Sequence, residues 1–135
     1  MRRRRVVIAI ALVAVALAGA AAALASVGGG DPAGRHTVAA PIDGIEVLIR
    51  ESAPPQVSVR ITAGLPGGCA QRDSHSVSRS GDTITITVLN SMPSGNPACT
   101  AIYGTYELVV DLGIDFRPGG AYTLRVNDRS TTFRT

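Results

Sequence analysis

The sequence contains no lysine and no tryptophan, and its 135 residues include only two cysteines and two histidines. Aromatic residues make up 4% of the chain, so any hydrophobic core must be mainly aliphatic. Since metal sites and catalytic centres draw heavily on histidine and cysteine, few combinations of residues could form either.

The chain opens with four arginines, followed by an apolar run over residues 6–25 that ends in Ala-Leu-Ala. This pattern predicts an export signal with cleavage before Ser26. The run is also about long enough to span a bilayer, and an uncleaved segment would anchor the protein with its N-terminus in the cytoplasm. In both cases the remainder is exported, either secreted or held at the outer face of the cytoplasmic membrane. Residues 6–25 are then the only predicted contact with the membrane.

The formal net charge of +3 is concentrated in that first segment. From Ser26 onward nine arginines face ten acidic residues, which leaves a charge of about −1. The exported part therefore gives no electrostatic support for binding nucleic acid. A Gly- and Pro-rich stretch over 26–37 is predicted to be a flexible linker, and 38–135 is predicted to form one domain.

Apolar residues in this domain recur at every second position, which is typical of half-buried antiparallel strands. In "DTITITV", for example, Ile84, Ile86 and Val88 are predicted to face inward while the threonines between them face water. We count seven such strands, the third around 71–79 and the last around 131–134. The other inward candidates are Ile45, Val47, Ile49, Val57, Val59, Ile61, Tyr106, Leu108, Val110, Leu112, Tyr122, Leu124 and Val126. Seven short strands predict an all-β, two-sheet antiparallel sandwich.

The closing segment "LGIDFRPGGAYTLRVND" resembles the last hairpin of many secreted bacterial immunoglobulin-like domains. With "ESAPPQVSVRITAGLPGGCAQ", "GDTITITV" and "ACTA", the region from about 42 to 135 is similar to a group of small uncharacterised exported bacterial proteins. The resemblance implies an immunoglobulin-like β-sandwich and names no activity. Unlike antibody domains, this chain has no tryptophan to pack on a disulfide, and its cysteines lie in loop-like settings.

Cys69 and Cys99 each lie where a loop meets a strand, and no third thiol competes with them. In an oxidising compartment we expect them to form a disulfide. The alternative is a copper site that also uses His75 and Met92. Such a site needs a second histidine, however, and His36 lies in the predicted linker. We therefore expect no metal or other cofactor.

The stretch "DSHS" at 73–76 contains the residue types of a hydrolase triad, but neighbours on one strand point to opposite faces. His75 is therefore predicted to be a solvent-facing strand residue, and we expect no enzymatic activity. A calcium site built from Asp111, Asp115 and Asp128 is an alternative to ordinary solvated turn residues.

We expect a noncatalytic cell-envelope binding or adhesion module whose partner is an envelope or extracellular protein or a glycan. The alternatives are an inhibitor of a secreted hydrolase and a purely structural envelope protein. The segment Asn90–Ala98 is predicted to be an exposed loop, and its prolines, Pro93 and Pro97, limit the conformations lost on binding. Its candidate partner-contact residues are Met92, Pro93, Asn96 and Pro97.

Overall fold

The computed structural model describes residues 34–95 and 97–135, which form strands and turns without a helix. The eight strands found there are β1 (Arg35–Ala39), β2 (Ile42–Arg50), β3 (Gln56–Pro66), β4 (Gln71–Ser80), β5 (Thr83–Pro93), β6 (Tyr103–Gly113), β7 (Ala121–Val126) and β8 (Arg129–Arg134). The predicted all-β class is confirmed. No helix in this part of the chain is long and apolar enough to cross a membrane. The predicted signal or anchor and Asn96 lie outside the described residues.

The strands form a five-stranded sheet, called here the large sheet, and a three-stranded sheet, the small sheet. In the small sheet β3 lies between β2 and β6, and all pairs are antiparallel. In the large sheet β5 is central and pairs with β4 along one side. Along its other side β5 pairs first with β7 and then with β1, so these two strands lie end to end; β8 is outside β7.

Two features differ from the prediction. There are eight strands instead of about seven, because β1 begins at Arg35, inside the segment assigned to the linker. Its sequence, RHTVA, is short and has no clear alternation of apolar and polar residues, so it does not predict a strand. The strand forms because its backbone pairs with β5. The β5–β7 pair is parallel, whereas only antiparallel pairs were expected. This pairing arises because the chain crosses from the small sheet at β6 to the large sheet at β7, so no hairpin sets the direction.

The core lies between the two sheets and follows the predicted alternation. Its fully buried members are aliphatic: Val57, Val59, Ile61, Ile84, Ile86, Val88, Leu124 and Val126 are each at most 1% exposed. Leu108, Val110 and Tyr122 are also buried, while Ile45, Val47, Tyr106 and Leu112 pack against this core and are partly buried. Ile49, predicted to face inward, is 37% exposed because it lies near the end of β2, where the core ends.

Candidate functional site

One end of the sandwich is tied together by the disulfide between Cys69 and Cys99, which confirms the predicted pairing. The bond joins the β3–β4 connection to the β5–β6 connection. Beside it, the Gly68 amide donates a hydrogen bond to the Thr100 carbonyl (2.9 Å). A Cβ atom at Gly68 would collide with the Thr100 side chain, so the absence of a side chain allows these two connections to touch.

The side chain of Arg35 links the first strand to this end. Its guanidinium donates to the Cys69 carbonyl (2.7 Å), the Ser91 hydroxyl (2.7 Å) and the Ser91 carbonyl (2.8 Å). Because these three acceptors lie on β5 and on the β3–β4 connection, the guanidinium holds β1 against the disulfide end.

The predicted contact loop is shorter than expected. Residues 90–93 are the end of β5 and not part of a loop, and Met92 and Pro93 are half-buried there, paired with His36 and Arg35 of β1. Only Pro97, of the four candidate contact residues, is described as exposed outside a strand. The sequence does not predict that β5 extends to Pro93, because asparagine and proline favour turns.

Asn90 is fully buried and connects the two sheets. Its amide nitrogen donates to the Gly64 carbonyl (2.8 Å), and its amide oxygen accepts from the Tyr106 hydroxyl (2.8 Å). Burial raises the pKa of Tyr106, and the nearby Arg72 guanidinium partly opposes that shift. A polar side chain can occupy this core position because both of its ends are satisfied.

The "DSHS" stretch does not form a catalytic triad. All of β4 is exposed, including His75, as predicted. The Ser74 hydroxyl donates to the Asp73 carboxylate (2.7 Å), and among the described residues neither Ser74 nor Ser76 forms a hydrogen bond with His75. A register shift in β4 also falls at Asp73, between Arg72 and Ser74.

The residues considered for a metal are not brought together. Both cysteine sulfurs are in the disulfide, so neither is available as a thiolate ligand. Asp115 forms an ion pair with Arg79, and Asp111 accepts the Gly113 amide hydrogen at 2.8 Å. Within the part of the chain that the structure describes, no three His, Cys, Asp or Glu residues are grouped closely enough to hold a metal ion.

The outer surface of the large sheet is covered by small hydroxyl side chains. Cross-strand partners share a face, so the strand registers define rows that run across the sheet. One row is Ser80, Thr83, Thr123 and Thr132, and the next is Ser78, Thr85, Arg125 and Ser130. We call this surface, with Ser76 opposite Thr87, the hydroxyl face. Neighbouring side chains in such a sheet are spaced about 5 Å across the strands and about 7 Å along them.

Two arginines and few other charges accompany these hydroxyls. Arg125 is exposed within the second row, and Arg134 lies opposite Ala121, one position beyond the first row. Neither arginine forms an ion pair among the described residues. The outward positions of these rows carry no carboxylate, so the hydroxyl face combines hydrogen-bonding groups with positive charge.

A recess lies in this face between the part of β5 that pairs with β7 (residues 83–86) and the part that pairs with β1 (residues 89–93). It has a volume of ≈ 690 Å³, and its lining residues are Ala39, Ala40, Pro41, Thr85, Thr87, Asn127 and Asp128. Ala39 and Pro41 supply apolar wall, the threonines supply hydroxyls and Asp128 supplies a carboxylate. The volume is within the usual range of small-ligand sites.

The side chain of Asn127 substitutes for a strand in this gap. Its amide oxygen accepts from the Val88 amide (2.9 Å), and its amide nitrogen donates to the carbonyls of Val88 (2.9 Å) and Ala40 (2.7 Å). Asn127 has a φ of 49°, a left-handed conformation that asparagine tolerates better than most residues. It therefore provides hydrogen-bond partners for the backbone N–H and C=O of Val88, between the stretches of β5 that pair with β7 and β1, and it also forms one side of the recess.

The opposite end of the sandwich holds an aromatic cluster with two arginines over it. Phe116, Tyr122 and Phe133 are in contact, with ring centroids 5.0–6.0 Å apart. The Arg79 guanidinium lies 4.8 Å from the centroid of the Phe116 ring, and that of Arg117 lies 5.8 Å from the Tyr122 ring. Cations over aromatic faces stabilise such a cluster.

Tyr122 is expected to ionise before the other two tyrosines, because the pKa of Tyr122 is lowered whereas those of Tyr103 and Tyr106 are raised. The Arg117 amide donates to the Tyr122 phenol oxygen (2.8 Å), and this hydrogen bond lowers the pKa of Tyr122 below 10.0. The Tyr103 hydroxyl donates to Asp43 at 2.9 Å, and this bond raises the pKa of Tyr103. In a tyrosinate absorbance titration, Tyr122→Phe should remove the first step, whereas Tyr103→Phe should remove a later one.

The same shifts set the sign of the pH dependence of stability. Because the pKa values of Tyr103 and Tyr106 are raised in the folded state, their contribution is present below pH 10.0 and is lost as the pH rises further. The lowered pKa of Tyr122 acts in the opposite direction over the same alkaline range. If the absorbance titration of Tyr122→Phe still showed the first step, the assignment of that step to Tyr122 would be wrong.

Comparison with known proteins places this sandwich in a family. The profile of the ORF11 beta-sandwich domain matches residues 59–135, more than half of the chain. A relative from Herpetosiphon aurantiacus, described as an uncharacterized 10.2 kDa protein in the HgiCIIM 5′ region, is 32% identical over 87 residues, which are 64% of this chain and 90% of the relative. No solved structure matches. Neither description names an activity. The matched region runs from within β3 to β8 and leaves out β1 and β2. It spans more than half of the chain, and the chain therefore belongs to the ORF11 beta-sandwich domain family.

Proposed function

We propose that this protein is an exported, noncatalytic binding module of the cell envelope, and that its hydroxyl face binds an extracellular glycan that carries carboxylate groups. The observation that carries the proposal is the combination, on one face, of regular hydroxyl rows, two unpaired arginines and a ligand-sized recess. The sandwich would act as immunoglobulin-like domains do, as a rigid scaffold for a binding surface.

The chemistry of the face favours a polyhydroxylated ligand. Serine and threonine hydroxyls both donate and accept, so they can exchange their bound water for sugar hydroxyls without leaving polar groups unsatisfied. In the recess, Asp128 can accept hydrogen bonds from sugar hydroxyls, while the apolar wall at Ala39 and Pro41 can contact a sugar ring. Arg125 can pair with a carboxylate of the polymer.

Export is supported by the sequence over residues 1–25 and is compatible with the disulfide. The inhibitor alternative has less support, because residues 90–93 belong to β5 and the segment free to enter a cleft is correspondingly short. Pro97 remains a candidate for a second contact at the disulfide end.

The test is cosedimentation of the protein, produced from its full chain, with insoluble polygalacturonate, purified cell-wall sacculi and cellulose. We expect binding to one of the two carboxylate-bearing polymers, weaker binding to neutral cellulose, and a decrease with added salt. Thr85→Glu should weaken binding at least about tenfold, because it opposes the ligand's charge at the centre of the face. Arg125→Thr should reduce both affinity and salt dependence.

Thr105→Glu is the matched control, since Thr105 is also a strand threonine but belongs to the small sheet, where its register partner is Gly64. It should leave binding unchanged. Equal loss in Thr85→Glu and Thr105→Glu, or no binding of the wild-type protein to either carboxylate-bearing polymer, would overturn the proposal.

A further inference from the structure

The exposed large hydrophobic side chains of the described residues are concentrated along one side of the sandwich. Ile102, Tyr103, Val109 and Ile114 lie on β6 or directly beside its ends, and they are 71%, 51%, 58% and 56% exposed. Val77 of β4 is 46% exposed, and the other large hydrophobic residue in this class is Ile49 of β2. Ile102 and Ile114 lie at opposite ends of β6, and the Tyr103 hydroxyl reaches Asp43 of β2, so this exposure follows the strand and does not form one compact patch.

This side is open because the small sheet ends at β6. Of the described strands, only β3 pairs with β6, so the other edge of β6 keeps unpaired backbone N–H and C=O groups. The strand β4 lies beside that edge in the large sheet, as the position of the Arg72 guanidinium 5.7 Å from the centroid of the Tyr106 ring indicates. Val77 pairs with buried Ile86 and so faces the small sheet, yet it is exposed because no strand beyond β6 covers it.

The edge of β4 in the large sheet and the edge of β6 in the small sheet differ in how they are protected against pairing with another chain. The β4 edge carries Arg72 and Arg79 and has a register shift near Asp73, which are features that oppose strand addition. The β6 edge has neither proline nor a basic residue, and its register with β3 is regular from Tyr103 to Asp111. It is therefore the edge that can accept a further strand.

The charged side chains of β6 indicate what kind of strand can add to its open edge. Glu107, Val109 and Asp111 alternate along the outward side of β6, and neither carboxylate forms an ion pair among the described residues. Arg60, whose register partner is Val109, instead donates to Glu46 of β2 at 2.8 Å. These two carboxylates thus flank an exposed apolar residue, and Asp111 also accepts the Gly113 amide hydrogen.

Two of the registers in which a second copy of this chain could add to the edge bring like charges together. In antiparallel pairing of two β6 strands, the register that places the two Val109 residues opposite each other also places Glu107 opposite Asp111. Like charges directly opposite each other destabilise a strand pair. The register centred on Glu107 places that carboxylate opposite its own copy.

We propose that the β6 edge binds an extended segment of a partner protein that adds as a strand and has the pattern basic-x-apolar-x-basic. In antiparallel addition the two basic side chains lie opposite Glu107 and Asp111, and the apolar side chain lies opposite Val109. The backbone of the segment pairs with the free N–H and C=O groups of β6, and its inward side chains cover Val77. This surface is separate from the hydroxyl face, so it does not depend on the glycan proposal.

The test uses a labelled peptide, Thr-Arg-Thr-Val-Thr-Arg-Thr, and measures its fluorescence anisotropy with the protein produced from its full chain. We expect saturable binding that a peptide with glutamate in place of arginine does not show. The double variant Glu107→Lys/Asp111→Lys should lose roughly tenfold in affinity for the basic peptide, because two attractive pairs become repulsive, and should gain affinity for the acidic one. Glu51→Lys, which changes an exposed carboxylate away from β6, is the matched control.

Hydrogen exchange distinguishes strand addition from simple charge attraction. Bound basic peptide should slow exchange of β6 amides and leave β2, the other edge of the small sheet, unaffected. Binding that is unchanged in the double variant, no exchange protection in β6, or no detectable binding of the basic peptide would each overturn the proposal. Sedimentation equilibrium that shows a dimer dissociated by Val109→Lys would do so as well, in favour of a second copy.

Discussion

Replacing Asn127 with alanine is expected to lower the free energy of unfolding by about 3 kcal/mol. The change removes three hydrogen bonds at once and leaves the Val88 amide without the acceptor that it has in the gap between β1 and β7. Val88 is only 1% exposed, so the lost partner is costly. Water that enters the adjoining recess replaces part of the network and keeps the loss from being larger. Urea denaturation followed by circular dichroism measures the change.

Two further substitutions at Asn127 separate the loss of its hydrogen bonds from the strain of its left-handed backbone. Asn127→Gly removes the same amide but fits the left-handed φ of 49° without strain, so it should be more stable than the alanine variant by about 1 kcal/mol. Asn127→Asp is nearly isosteric, yet it directs a carboxylate oxygen at the carbonyls of Ala40 and Val88. It should be at least as unstable as Asn127→Ala near neutral pH. An aspartate variant as stable as the wild type would contradict the assigned network.

The strands themselves were predictable from the sequence, because β-branched residues at every second position encode one buried and one exposed face. The inward assignment of Ile84, Ile86 and Val88 is confirmed by the structure. The disulfide was predictable for a similar reason, since the chain offers only one pair of cysteines. In both cases the decisive information lies in residue type and local spacing.

The hydroxyl face was only partly predictable. Alternation places Thr83, Thr85 and Thr87 outward, but their continuation into Thr123 and Thr132 depends on the parallel β5–β7 pair. Such a pair is a long-range property, because the intervening chain passes through the small sheet. No local pattern in β5 or β7 specifies which strand lies beside it.

The end of β5 shows why the loop predicted over residues 90–98 begins later than expected. Asn90 has a strong preference for turns, and burial of its amide requires partners that come from β3 and β6. A single sequence does not reveal those partners, so local propensity outweighed the strand pattern. The open edge of β6 was missed for the opposite reason: β6 has an ordinary alternating strand sequence, and its lack of a second neighbour is a property of the sheet order.

Removing the disulfide is expected to destabilise the fold by roughly 3 to 4 kcal/mol in the loop-entropy model. Cys69 and Cys99 are separated by 30 residues, and the bond restricts the unfolded chain over that whole interval. The core has no tryptophan and few other aromatic residues, so a loss of this size is a large part of the stability of a small domain.

The double variant Cys69→Ala/Cys99→Ala is the appropriate test, because a single substitution leaves one free thiol. Its urea midpoint should fall and its m-value should rise, since the unfolded chain becomes more extended. Reductant should lower the midpoint of the wild-type protein toward that of the double variant and leave the variant itself unchanged. The fold should persist at low temperature, because Gly68–Thr100 and Arg35–Cys69 hydrogen bonds use main-chain groups that alanine retains. A wild-type midpoint that does not respond to complete reduction would show that the bond contributes little to the stability of this sandwich.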